Sequence, residues 1–323
     1  MRLTTTLLAT AALLGCGSST SPDGSKSGSG PGTNVPAGDS TLGANVPLNG
    51  YRPFPDNNPW NQPVDTAQVD PNSAKIIANI GLSDPLHPDF GTEPTYGIPY
   101  VVVDSTQAPV PVTFGYADES DPGPYPIPND APIEGGSRST GDRHVLVIDR
   151  DNKVLYELYN AKRGSSKWTA GSGAIFDLTS NALRPAGWTS ADAAGLPIFP
   201  GLVRRDEVAA GEIRHAIRVT VRRTRRAYIS PARHWASDET VDSLPPMGMR
   251  VRLKASFDTS GYPPQAQVIL AAFKKYGMIV ADNGSDWFFS GTSDPTWDDD
   301  QLNTLKQLRG SDFEVVKMGT VVE

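Results

Sequence analysis

The chain has 323 residues, with 29 Lys and Arg against 36 Asp and Glu, giving a formal charge of −7. That modest acidity argues against a nucleic-acid role for the chain as a whole. With 31 Gly and 29 Pro, long helices are disfavoured and turns are expected throughout.

Arg2 precedes a Leu/Ala/Thr stretch over residues 3–14, too short to span a bilayer as a helix. It reads as an export signal covering residues 1–15. The ending Leu13-Leu14-Gly15-Cys16 resembles the lipobox of bacterial lipoproteins, and Cys16 is the only cysteine in the chain. The resemblance implies cleavage before Cys16 and lipidation of its thiol, with each buried acyl methylene adding about 0.8 kcal/mol of membrane affinity. Gly17 is not acidic, so the same resemblance points to the outer membrane if the host is Gram-negative. Residues 16–47 are rich in Ser, Gly, Pro, Thr and Asn, and read as a flexible stalk. Residues 48–323 are then expected to form one extracytoplasmic domain, tethered to the membrane through the lipid.

Within that domain, a short helix is expected at residues 73–79, then β-branched strands at 98–103 and 110–116. Residues 118–136 hold five prolines and read as an irregular surface loop, a candidate groove wall. A hairpin follows, residues 144–149 with 154–159, in a register that sets Leu146 opposite Glu157 and His144 opposite Tyr159. Residues 168–205 show few regular signals. Further strands are expected at 212–221 and 250–257, and a second hairpin, 278–282 with 286–290, around Asn283-Gly284. Helices fit residues 265–276, behind two prolines, and 298–308, which opens with acids. No repeat is visible, and the whole pattern predicts a mostly β chain, a β-sandwich of jelly-roll type with a few short peripheral helices.

No phosphate loop, dinucleotide fingerprint, His-Glu-x-x-His or Gly-x-Ser-x-Gly is present. Candidate chemistry therefore rests on placement, beginning with the 4 histidines. Alternation puts His215 on an inward face with Ile213 and Ile217, either as a core histidine or as a general base or metal ligand. His144, Glu157 and Tyr159 share a strand end, where an imidazole, a carboxylate and a phenol can converge. His234 adjoins Trp235, an indole able to stack on a sugar ring, while His87 lies between prolines and reads as structural. Asp192 and Asp177 are candidate acid or base groups in the 168–205 stretch, with Trp188 as a stacking platform.

Nine arginines (204, 205, 214, 218, 222, 223, 225, 226 and 233) fall in one stretch. Arg214 and Arg218 are expected on the strand face opposite His215. They suit carboxylates or sulfates of an acidic polysaccharide, or ion pairs on a solvated face.

From Asn58-Pro-Trp-Asn61 to Phe313-Glu-Val-Val316 the chain resembles a group of secreted bacterial proteins, sharing Arg184-Pro-Ala-Gly-Trp-Thr-Ser-Ala-Asp-Ala-Ala-Gly195 and Ala281-Asp-Asn-Gly284. That likeness carries over no functional residue. Taken together, these features lead us to expect a monomeric surface protein acting on extracellular polysaccharide as hydrolase or uronate lyase, or a non-catalytic glycan binder or structural envelope protein. No cofactor and no nucleic acid are called for, and metal dependence stays open.

Overall fold

The computed structural model describes residues 41–323; the expected export signal, Cys16 and most of the expected stalk lie outside the described residues. In chain order the elements are β1 (Gly43–Ala44), α1 (Ser73–Ile80), β2 (His87–Asp89), β3 (Tyr100–Val103), β4 (Val112–Phe114), β5 (Val145–Asp149) and β6 (Val154–Tyr159). Next come β7 (Lys162–Arg163), β8 (Trp168–Ala170), β9 (Ser172–Asp177), α2 (Arg205–Ala210), β10 (Ile217–Val221), β11 (Tyr228–Ile229) and β12 (Arg250–Leu253). The remainder is α3 (Pro264–Lys275), β13 (Met278–Asn283), β14 (Phe288–Ser290), α4 (Asp299–Thr304), β15 (Phe313–Val315) and β16 (Val321–Val322). The fold is mostly β, with several sheets and few, short helices. Among the described residues no helix is long and apolar enough to cross a membrane.

Two sheets dominate, a five-stranded one ordered β1-β3-β5-β6-β9 and a six-stranded one ordered β15-β12-β13-β10-β14-β2. The first is buried on both faces because its strands are continuous apolar runs. Tyr100, Val102, Leu146, Ile148 and Leu155 join the larger core, while Val101, Val103, Val145, Val147 and Leu158 pack beneath Tyr125, Ile127 and Trp168. The pairs β3/β5, β10/β13 and β14/β2 run parallel, unlike the antiparallel strands of a jelly roll.

The β5/β6 hairpin takes the expected register, Leu146 opposite Glu157. At its tip Lys153 has φ 56° and the Asp149 carboxylate accepts from the Asn152 amide at 3.0 Å, so the turn uses all of residues 150–153. The second hairpin does not form. Strand β10 lies between β13 and β14, pairing parallel with the first and antiparallel with the second. Neither Asn283 nor Gly284 has the positive φ that a tight hairpin turn needs. Instead the connection crosses the end of β10, where Gly284 N donates to Val221 O at 3.0 Å and Thr220 Oγ1 to Ser285 O at 2.8 Å.

Other boundaries shift for local reasons. The strand expected from residue 212 starts only at Ile217, because Gly211 (φ 86°) ends α2 and Ala216 N is taken by Trp60 O at 2.7 Å. The 168–205 stretch contains β8 and β9, the latter pairing with all of β6. The domain also reaches back into residues read as stalk: Gly43–Ala44 pair with β3, and Asn45 exchanges bonds with the Tyr100 backbone. Helix α3 forms as expected, behind a proline at its start, burying Ala266, Ile269, Leu270 and Phe273 at helical spacing.

Candidate functional site

Arg218 projects from β10 into the space between that sheet and residues 190–203, and is itself buried. Its Nε and Nη2 each donate to one oxygen of Asp192 at 2.7 Å, a bidentate fork. Nη2 also reaches Asp282 Oδ2 at 3.1 Å, and Nη1 donates to Ser290 Oγ at 2.8 Å. Ser290 in turn lies opposite Asp89 in the β14/β2 register. Strands β10, β13, β14 and β2 thus deliver Arg218, Asp282, Ser290 and Asp89 to one region, and the 190s segment brings Asp192 against them.

The segment carrying Asp192 is held from the five-stranded sheet. Glu157, buried on β6, accepts from the backbone amides of Ile198 and Phe199 at 2.9 Å each. Burial pushes its carboxyl up, the two amides pull it back, and it settles at about 7. His144 Nδ1 meets Glu134 Oε2 at 2.7 Å, and Nε2 donates to Ala191 O at 3.0 Å. Burial alone lowers this imidazole, but the Glu134 charge and hydrogen bond outweigh it and hold it at about 9. Burial would raise Glu134, yet His144 and then Arg218 hold it below its ordinary value. An imidazolium clamped to a carboxylate therefore fixes Ala191, the residue before Asp192.

The two aspartates differ in access. The Asp192 side chain is fully enclosed, whereas that of Asp282 is 21% exposed and meets a cleft of about 460 Å³. Burial first, and then the charge of neighbouring Asp192, pushes Asp282 up to about 8, with Arg218 opposing only in part. Asp282 thus holds its proton to higher pH than an ordinary aspartate. Tyr116, Glu119, Asp142, Tyr159 and His234 also line the cleft. Tyr116 is 58% exposed at this wall, and no Lys or Arg lines it. Its chemistry is a proton donor, further carboxylates and phenol rings.

Of the residues singled out in the sequence, Asp192, Tyr159 and His234 line this cleft, and His144, Glu157 and Arg218 stand behind it as supports. His234 Nδ1 donates to Ala193 O at 2.7 Å. His215 faces the core, as alternation implies, and does not line this cleft. Its Nδ1 donates to Ala216 O at 2.8 Å, and Nε2 sits 3.1 Å from Glu207 Oε2, in a separate buried group with Arg204. It has no free nitrogen for a substrate. Trp188 is covered by the Arg184 guanidinium, 5.6 Å from its ring, and Trp235 stacks on Tyr228. Asp177 is a turn residue whose Oδ1 accepts from the Thr179 amide and hydroxyl. Arg214 donates to Gly50 O at 2.8 Å, and Arg218 is not on an outer face but ion-paired inside.

Sequence reasoning missed Glu134, Asp142, Glu119 and Tyr116, and treated Asp282 only as a strand end. One signal for Asp282 was available: an acid closing the apolar run Met278–Ala281 sits at the carboxyl end of a buried parallel strand, where such sheets place ligands. Among the described residues, no group of three or more His, Cys, Asp or Glu is arranged to hold a metal ion. No family model, curated protein or solved structure matches the chain.

Proposed function

We propose that this chain is an extracytoplasmic protein, anchored to the membrane through a lipid on Cys16, that acts on extracellular polysaccharide and hydrolyses glycosidic bonds in the cleft of Asp282. The observation that carries this reading is the Asp282 carboxyl at the cleft wall, raised above the ordinary aspartate range by its burial and backed by Asp192 locked onto Arg218. Hydrolysis needs an acid to protonate the leaving oxygen and a base to take a proton from water. Asp282 is the acid. Asp192 is enclosed and serves to keep Asp282 protonated, so the base is one of the remaining lining carboxylates, Asp142 or Glu119. Tyr116 and Tyr159 offer ring faces for sugar stacking. As part of the same proposal, the two main sheets form the layers of a β-sandwich with the Glu157 and Arg218 groups between them.

Uronate elimination fits this cleft less well. It requires a cation free to neutralise the uronate carboxylate, whereas Arg218 is spent on Asp192 and Arg184 on Asp121. The exposed ring of Tyr116 supports a second reading, a glycan binder without turnover.

The test is incubation of the lipidated protein with neutral and acidic polysaccharides, following new reducing ends and the absorbance of unsaturated uronate. We expect reducing ends without that absorbance, and a loss of about 100-fold or more in rate for Asp282→Asn, which keeps the shape but not the transferable proton. Saturable binding with no product from any polymer rejects hydrolysis in favour of the binder, and unsaturated product rejects it in favour of a lyase.

A further inference from the structure

The nine crowded arginines are each engaged within the chain, although Arg222, Arg223 and Arg226 are exposed. Arg204, Arg218, Arg222, Arg223 and Arg225 pair with carboxylates, and Arg205, Arg214 and Arg233 donate to backbone carbonyls. Arg226 lies over the Trp235 ring. The free cations are elsewhere. Lys162 and Arg163 form β7, Lys167 sits in the turn before β8, and all three are exposed. Among the described residues, none of these side chains has a carboxylate within ion-pair distance, in a chain whose acids outnumber its bases.

Lys162 and Arg163 also line the wall of a cleft of about 800 Å³, together with Arg143, Trp168, Ile133 and Thr95. Arg143 is a fixed part of that wall, donating to Ser139 O at 2.8 Å and Ala161 O at 2.9 Å. Two acids line the cleft as well. Asp294 already accepts from the Thr296 amide and hydroxyl, and Asp130 stands exposed. Three cations therefore face two acids, one of them engaged in its own turn.

The two clefts are neighbours. Asp142 and Tyr159 line the acidic one, while Arg143 and Lys162 line the basic one. The strip between is held by Asn160 N to Asp142 O at 2.7 Å and Ala161 N to Arg143 O at 3.2 Å.

We propose that this second cleft is a binding site for an acidic glycan strand, its carboxylate or sulfate groups taken by Lys162 and Arg163. Exposed cations without internal partners have no desolvated pair to break on binding, and guanidinium and ammonium groups bond such anions with charge assistance. A flexible strand seated here passes beside the Asp282 cleft. The site does not depend on cleavage there, since binding is read without turnover.

The experiment measures binding of the full chain to polygalacturonate, dextran sulfate, neutral dextran and phosphatidylglycerol vesicles over a range of salt. We expect saturable, salt-sensitive binding to an acidic polymer, with carboxylated and sulfated arms showing which anion is preferred, and none to dextran. Lys162→Glu with Arg163→Glu should weaken it about tenfold or more, leaving thermal unfolding unchanged. The milder Lys162→Gln with Arg163→Gln covers a charge reversal that fails to fold. Absence of binding to both acidic polymers, equal binding of dextran, affinity for the polymers unchanged in both variants, or vesicle binding that exceeds polymer binding and is lost in Lys162→Glu with Arg163→Glu each overturns the site.

Discussion

At the scale of single residues, the site is built from carboxylates given different environments. Asp282 is pushed up to about 8 by burial and the charge of Asp192, while Asp192 is held by a bidentate fork from Arg218. The linkage has a definite sign. A carboxyl whose native value lies above its unfolded value of 3.8 contributes stability that is complete below that value and is lost as pH rises through about 8. Asp282→Asn removes that penalty, so its stability relative to wild type should improve from acid to mildly alkaline pH, read by urea denaturation at several pH values. A constant difference across that range counts against a raised Asp282. Glu157 has the opposite role, a buried acceptor for two amides that would otherwise be unpaired. Glu157→Leu should therefore cost roughly 3 kcal/mol of folding stability. A loss below about 1 kcal/mol would mean that residues 198–199 are held by other means.

Elements show where local pattern decides and where tertiary pairing takes over. The β5/β6 register was readable because two apolar runs of matching length flank a polar turn, and α3 because its proline start and apolar spacing agree. Asn283-Gly284 misled because a turn signal says nothing about a third strand inserting between its arms. Only the pairing of β10 with β13 over residues 217–221 reveals that. The site was legible in the same uneven way. His144 and Glu157 were placed together by hairpin register, and Asp192 was picked from a loop. Their partner Arg218 was assigned to an outer face, since strand alternation cannot tell which face of a doubly covered sheet meets the 190s segment. The start of the domain shows a related limit: Gly43 and Ala44 have stalk-like composition, yet their backbones complete a sheet edge. Removal of residues 1–47 should lower stability by about 2 kcal/mol relative to removal of residues 1–40, because both the β1 ladder and the Asn45 bonds to Tyr100 are lost. Equal melting temperatures for the two truncations would show that β1 contributes nothing.

Across the whole molecule, charge is sorted rather than spread. Five of the crowded arginines pair with carboxylates, the Asp282 cleft is acidic, and the cations of β7, without a carboxylate partner among the described residues, gather beside it on the far side of residues 142–143. On the proposed reading, an extended glycan bearing both neutral and acidic sugars is cleaved at one cleft and retained at the other. That division rests on Asp282 being uncharged at neutral pH, which carbon-13 NMR of the aspartate carboxyls reports directly. We expect one resonance, absent in Asp282→Asn, to titrate near pH 8, well above the ordinary aspartate range. If the resonance removed by that substitution instead titrates near 4, the cleft holds a plain carboxylate and has no acid to give.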